Sequence, residues 1–187
     1  MTQAVRQRFD FTDYVLLEES STVKHEYLDG GVWAMAGGSP DHARITANVA
    51  SLLRAQLSGR RCAVFSSDLR VRVKATGLTT YPDVTVVCDP SDTNSRFVER
   101  PCLVVEVLSP STQHKDRREK LLLYRNIESM RSYLIVAPDE GWIELHERHA
   151  DGMWRQHRVE GDEKLALPCV DAAIATHELF LNLQSEQ

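Results

Sequence analysis

Three apolar runs limit what this chain can become: Val84-Thr85-Val86-Val87-Cys88, Cys102-Leu103-Val104-Val105-Glu106-Val107-Leu108 and Tyr133-Leu134-Ile135-Val136-Ala137. Continuous β-branched runs of this length suit strands covered on both faces. Between the second and third runs, from Ser111 to Asn126, the pattern turns helical, with Leu121, Leu122 and Tyr124 set among Lys115, Arg117, Arg118 and Glu119. Strand, helix, strand is a crossover unit, so the second and third strands are expected to run parallel.

The flanking segments carry local signals. Asp29-Gly30-Gly31 separates two short apolar-alternating stretches and predicts a hairpin with strands near 24–28 and 31–36. Ser39 as N-cap, Pro40 at the first helical position, Ile45, Val49, Leu52, Leu53 and Leu57 at spacings of three and four, and Gly59 beyond the end mark an amphipathic helix. Cys62 to Phe65 and the alternating Leu69 to Val73 read as strands, and the latter puts Arg70 and Arg72 on one face. Trp142 to His149 and Met153 to Val159 flank Ala150-Asp151-Gly152 as a final hairpin. A helical lead-in through Ser21 and an apolar tail from Leu165, with Leu179, Phe180, Leu181 and Leu183, complete the chain. The expectation is a single α/β domain over 1–187, with a core from about 14 to 180. Its central mixed β-sheet is flanked by helices, with N-terminal and C-terminal hairpins.

With 187 residues, 42% of them hydrophobic and 26% charged, and a formal charge of −5, the composition excludes fibrous, disordered and disulfide-stapled classes. No stretch approaches the roughly 18 apolar residues of a membrane helix, and Met1 to Asp13 lacks the apolar centre of a signal peptide, so a cytoplasmic protein without membrane attachment is expected. Cys62, Cys88, Cys102 and Cys169 show no Cys-x-x-Cys spacing and read as reduced core residues rather than zinc ligands. His146 and His149, at an odd separation in a strand, cannot share a metal and read as surface histidines. Gly37-Gly38-Ser39 opens a helix, but the Lys-Ser/Thr end of a phosphate loop is absent, so no nucleotide cofactor is expected.

Chemistry enters where carboxylates interrupt core-like runs. Glu106 stands in the middle of one, and a buried carboxylate needs a cation, a proton or a metal beside it. Asp83 follows Pro82 at the start of another, and if the two strands are neighbours the two acids meet at one sheet end, an oxygen-rich site of the kind Mg²⁺ or Mn²⁺ prefers. Asp116, Lys120 and Tyr124 are four residues apart and share a helical stripe that returns towards them. The ordinary alternatives are Glu106 beyond the buried part of its strand, Asp83 as a turn cap, and Lys120 solvated and paired with Asp116. Arg54, Arg60, Arg61, Arg70, Arg72 and Lys74 form one basic group, and Lys115, Arg117, Arg118, Lys120, Arg125 and Arg131 a second. They would suit a nucleic-acid backbone if they border the acids, and a solvated face otherwise.

The ordered set Glu26-Tyr27-Leu28-Asp29-Gly30, His42, Tyr81-Pro82-Asp83-Val84, Val105-Glu106-Val107-Leu108-Ser109-Pro110-Ser111-Thr112 and Asp116 to Tyr124 resembles the Uma-two family of restriction endonucleases, a branch of the PD-(D/E)XK nuclease superfamily. The resemblance implies the restriction-endonuclease-like fold and metal-assisted, in-line phosphodiester hydrolysis of nucleic acid, with DNA the expected form. It implies Asp83, Glu106 and the Val107 backbone carbonyl as ligands of Mg²⁺ or Mn²⁺, with Glu26 as a further acid near the metal. One signature position departs: Leu108 stands where the superfamily places lysine, and the amine matches Lys120 in the following helix instead. His42 would contact a phosphate or be a solvated first-turn residue. Asp116 and Tyr124 would hold Lys120 in place, or Tyr124 would be core. Cutting both strands implies a homodimer. Two alternatives stand beside this reading: a non-cutting nucleic-acid or protein binding module of the same fold, and a hydrolase of a smaller phosphate ester.

Overall fold

The computed structural model describes residues 8–109 and 119–181. Along the chain the elements are α1 (Phe11–Ser20), β1 (His25–Leu28), β2 (Gly31–Ala34), α2 (Pro40–Gln56), β3 (Ala63–Ser66), β4 (Val71–Val73), β5 (Leu78–Thr80), β6 (Val84–Val87) and β7 (Leu103–Val107). They continue with α3 (Leu121–Tyr124), β8 (Ser132–Ala137), β9 (Trp142–Arg148), β10 (Trp154–Glu160), β11 (Lys164–Leu167), β12 (Ala172–Ala175) and α4 (Thr176–Leu179).

The three apolar runs become β6, β7 and β8, and every residue in them is buried. They lie at the heart of a six-stranded sheet of order β10-β9-β8-β7-β6-β3. The β7–β8 pair is parallel, as the crossover demands, while its neighbours are antiparallel, so the sheet is mixed. Period-two alternation then assigns faces. Leu103, Val105, Val107, Leu134, Val136, Ile143 and Leu145 pack against Ile45, Val49 and Leu53 of α2 and against Leu165, Leu167 and Ile174 of the β11–β12 hairpin. The opposite face, with Val104, Tyr133 and Ile135, is covered by α3 and by Val71, Val73 and Leu78 of a second sheet, of order β2-β1-β5-β4. On its outer side that small sheet carries α1, through Tyr14, Val15 and Tyr27.

Local signals act as their chemistry requires. Asp29 (φ 45°) and Gly30 (φ 88°) both adopt positive φ, the two-residue turn whose twist matches the strands it joins. The Ser39 side chain accepts the His42 N–H at 3.1 Å, and Pro40 opens α2. Of the crossover helix, the described residues show α3 preceded by a wider turn at Glu119-Lys120; 110–118 lie outside the described residues.

Two sequence readings require correction. Cys62 and Cys88 are not reduced: a disulfide joins them, one step beyond the Ala63↔Val87 pair of β3 and β6. Pairing residues 26 apart is a product of sheet topology, which no spacing rule reveals. His146 is not a surface residue but 5% exposed, because Ile143 and Leu145 take one face of β9 and leave Glu144 and His146 pointing into the other. No helix among the described residues is long and apolar enough to cross a membrane.

Candidate active site

The antiparallel register Val84↔Val105, continued by one residue, sets Asp83 opposite Glu106 at one end of the sheet. Side chains of such opposed residues stand on the same face with Cβ atoms about 5 Å apart. Glu106 is 4% exposed, and its Oε1 accepts from Lys120 Nζ at 3.2 Å and from the Tyr124 hydroxyl at 3.1 Å. Both partners come from one face of the helical turn that follows, consistent with their separation of four residues. The charge interrupting a core strand is thus compensated in place.

Lys120 is itself buried, and its ammonium lies between two acids, 2.9 Å from Glu26 Oε1 on the far side. Glu26 reaches in from β1, where alternation sends Tyr27 to the α1 side and Glu26 to the sheet interior; the Thr80 hydroxyl donates to it at 2.7 Å. Asp83 Oδ2 accepts the Val107 N–H at 2.7 Å, and His42 Nε2, from the first turn of α2, lies 3.3 Å from the same oxygen. Within a strand a residue's N–H and C=O point to the same side, so the Val107 carbonyl also faces the Asp83 strand. Gly38 clears space for this: a Cβ there would fall 2.6 Å from His42 Nδ1.

Glu26, His42, Asp83, Glu106, Lys120 and the Val107 backbone therefore line one cleft, joined by Trp33 at its mouth, 43% exposed. The cleft continues as a groove past His42 and Asp83 to Lys24, Ala47 and Ser66. Of the expected site residues, Asp116 alone lies outside the described residues.

Behind the site stands a support that sequence reading missed. Glu18 of α1 accepts from the Tyr81 hydroxyl and lies 2.7 Å from His25 Nδ1. The Tyr14 hydroxyl donates to the His25 carbonyl at 2.8 Å. Burial, and then the hydrogen bond to Glu18, push the Tyr81 hydroxyl well above its ordinary range, so it stays a donor at any working pH. This anchors the residue two before Asp83. The only sequence signal was an acid at an inward position of the lead-in helix.

Several of the basic residues are used otherwise. Arg72 stacks 3.5 Å over the Phe11 ring and, with Lys74, pairs with Glu99; Arg60 binds the Val170 carbonyl and Asp171; Arg125 lies over the Trp154 ring. Lys115, Arg117 and Arg118 are outside the described residues, and Lys120 belongs to the site.

The donor set fits a small divalent cation. Asp83, Glu106 and the Val107 carbonyl supply hard oxygen from adjacent strands, and Mg²⁺ is commonly held by one or two carboxylates with its remaining positions filled by water. Among the described residues no three His, Cys, Asp or Glu side chains converge on a single point, so a fully protein-built cage is not what this site offers.

The Uma2 family profile, described as "Putative restriction endonuclease", matches residues 11–177. An uncharacterized protein of Synechocystis sp. (strain ATCC 27184 / PCC 6803 / Kazusa), slr1290, is 37% identical over 172 residues, spanning 91% of this chain and 90% of its own length. A second from the same organism, sll1609, is 29% identical over 87% of this chain and 93% of its own. The crystal structure of a "putative nuclease belonging to DUF820" from Anabaena variabilis ATCC 29413 superposes with a TM-score of 0.70 at 17% identity, over 86% of this chain and 91% of that one. That likeness establishes the restriction-endonuclease-like fold, and the profile, spanning nearly the whole chain together with the 37% identical relative, establishes that the chain belongs to the Uma2 family.

Proposed function

We propose that the protein is a divalent-metal-dependent endonuclease that hydrolyses phosphodiester bonds of nucleic acid, DNA first among substrates. The observation that carries the reading is the opposition of Asp83 and Glu106 on neighbouring strands, with the Lys120 amine 3.2 Å from Glu106. Family membership supports it, and so does the continuation of the cleft into a groove past His42 and Asp83, a form that suits a polymer better than a metabolite.

In this reading Asp83, Glu106 and the Val107 carbonyl hold Mg²⁺ or Mn²⁺. When bound, the metal lowers the pKa of a water and polarises the phosphoryl oxygen. Lys120, steadied by Glu26 and Glu106, turns an N–H towards the attacking water or the phosphate oxygen that gains charge. Tyr124 fixes the Glu106 carboxylate, and Thr80 fixes Glu26. His42 donates to a phosphate oxygen, Asp116 supports Lys120, and the exposed Trp33 face offers a stacking surface for a base. The enzyme works in the cytoplasm, as a homodimer that sets one such site against each strand.

The test is cleavage of supercoiled and linear DNA with Mg²⁺ or Mn²⁺ by the wild type and by Asp83→Ala, Glu106→Ala and Lys120→Ala. Metal-dependent cutting lost in all three is the expected result. Loss with the acids alone would remove Lys120 from the chemistry, and cutting unchanged by Asp83→Ala would place the activity elsewhere. Binding of DNA without cutting by the wild type, with any metal, would favour a non-cutting module instead.

A further inference from the structure

All four cysteines of the chain gather at the end of the sheet opposite the carboxylates. Cys62 precedes β3, Cys88 follows β6, Cys102 precedes β7, and Cys169 lies in the 3-10 turn Pro168–Val170 between β11 and β12. Four separate segments thus bring sulfur to one place. Cys62 and Cys88 are bonded; Cys102 Sγ lies 3.4 Å from Cys88 Sγ, about van der Waals contact, its thiol donates to the Val86 carbonyl at 3.4 Å, and Cys169 is its neighbour. Two of the sulfurs already share a bond, which points to thiol–disulfide chemistry rather than metal binding.

We propose that these four residues form a thiol–disulfide exchange site in which Cys102 is the resolving thiol for Cys88. In the internal exchange, Cys102 sulfur attacks Cys88 Sγ, the Cys88–Cys102 bond forms, the Cys62–Cys88 bond breaks, and Cys62 leaves as thiolate. The proton that Cys102 gives up ends on the Cys62 thiolate, so charge and oxidation level are both unchanged. In the oxidising direction the co-reactant is a low-molecular-weight disulfide such as oxidised glutathione. The reduced Cys88 thiolate attacks it, releasing one glutathione thiolate and leaving a mixed disulfide on Cys88. Cys62 or Cys102 then displaces the second glutathione. The neighbouring Cys169 and burial hold the Cys102 thiol above its ordinary range, so Cys102 keeps its proton until the exchange and attacks through a small thiolate fraction; its contact with Cys88, not its acidity, makes it the resolving thiol.

The alternatives open to Cys88 differ in what they fasten. Bonded to Cys62 it ties edge strand β3 covalently to the sheet; bonded to Cys102 it leaves that edge held by hydrogen bonds and packing without a covalent tie. An exposed, unfastened edge is where a sheet pairs with other chains, so the exchange sets how firmly that edge is closed.

The experiment takes the full chain, reduced and desalted, and equilibrates it with oxidised and reduced glutathione. After an acid quench, the free thiols are alkylated and disulfide-linked peptides mapped by mass spectrometry. Wild type is expected to show Cys62–Cys88. Cys62→Ser is expected to show Cys88–Cys102, with less than a tenth of Cys88 left as the glutathione adduct, whereas Cys62→Ser/Cys102→Ser keeps that adduct. A stable glutathione adduct on Cys88 in Cys62→Ser, with Cys102 alkylated, would overturn the assignment. So would four alkylated thiols in the wild type across the whole buffer range, or resolution by Cys169 in the double variant. Cys62→Ala, checked for native circular dichroism, repeats the comparison should serine disturb the fold.

Discussion

The two faces of the six-stranded sheet are built from alternate residues of the same strands, yet they are opposites in chemistry. One face is mainly aliphatic: Val84, Val86, Leu103, Val105, Val107, Leu134, Val136, Ile143 and Leu145 meet α2 and the C-terminal hairpin. The other mixes Val104, Tyr133 and Ile135 with the buried polar residues Glu106, Glu144 and His146. Each charge there has its partners: Glu106 has Lys120 and Tyr124, and Glu144 has His146 at 2.8 Å, Arg158 at 2.9 Å and Gln156 at 3.2 Å. The period of two lets a single strand supply a packed core on one side and aimed, charged groups on the other, and it fixes register, since a slip of one residue would exchange the faces.

If the division of labour is real, neighbouring residues should fail in different ways. Glu106→Gln should lower nucleic-acid cleavage by about 10³-fold, the scale of removing a group that acts on developing charge, while the melting temperature changes little. Leu134→Ala, one strand away on the aliphatic face, should do the reverse. It should cost about 3 kcal/mol in urea unfolding and leave the turnover of folded protein intact. A stability loss in the first as large as in the second would erase the distinction. Tyr124→Phe is smaller and sharper: it removes one donor to a carboxylate, worth about 1.5 kcal/mol of stability, and should lower turnover more than substrate affinity.

How much of this was legible depends on the range of the signal. The Asp29-Gly30 turn, the Ser39 cap and the all-apolar strands are decided within a few residues, and the structure repeats them. The opposition of Asp83 and Glu106 followed from one further step, that consecutive strands pair. Lys120 followed in part: the four-residue stripe after the Glu106 strand pointed an amine back towards the acids, and the family resemblance matched it to the displaced signature lysine. The pairing of β5 with β1, the Cys62–Cys88 bond and the anchoring of Tyr81 by Glu18 depend on partners 26 to 63 residues away, which no local pattern records. Charge runs misled for a related reason: Arg72 looks like part of a basic stripe until the Phe11 ring and Glu99 are placed against it.

His146 tests the polar face away from the cleft, with the smallest effect. Its Nε2 lies 2.8 Å from Glu144 Oε1, so the neutral ring is assigned its proton there, and the buried Nδ1 has no hydrogen-bond partner among the described residues. A second proton would have to sit on Nδ1, beside the Tyr133 ring and near the Arg125 guanidinium. Burial outweighs the attraction of Glu144 and holds the imidazole below its ordinary value, with Arg125 adding to the effect and Arg158 already committed to Glu144. A group depressed in this way binds its proton first in the unfolded chain. Stability should therefore be level above about pH 6.5 and fall as the pH drops below it, by at most about 1.4 kcal/mol per pH unit, until the folded ring also titrates. His146→Gln keeps an N–H for Glu144 but cannot titrate, so the fall between pH 6.5 and 5.5 should shrink by up to one proton's worth in urea unfolding. Parallel curves for the two proteins would mean that the ring charges in place at no cost. The polar face would then admit an unpaired proton there, which the tight pairing around Glu106 does not suggest.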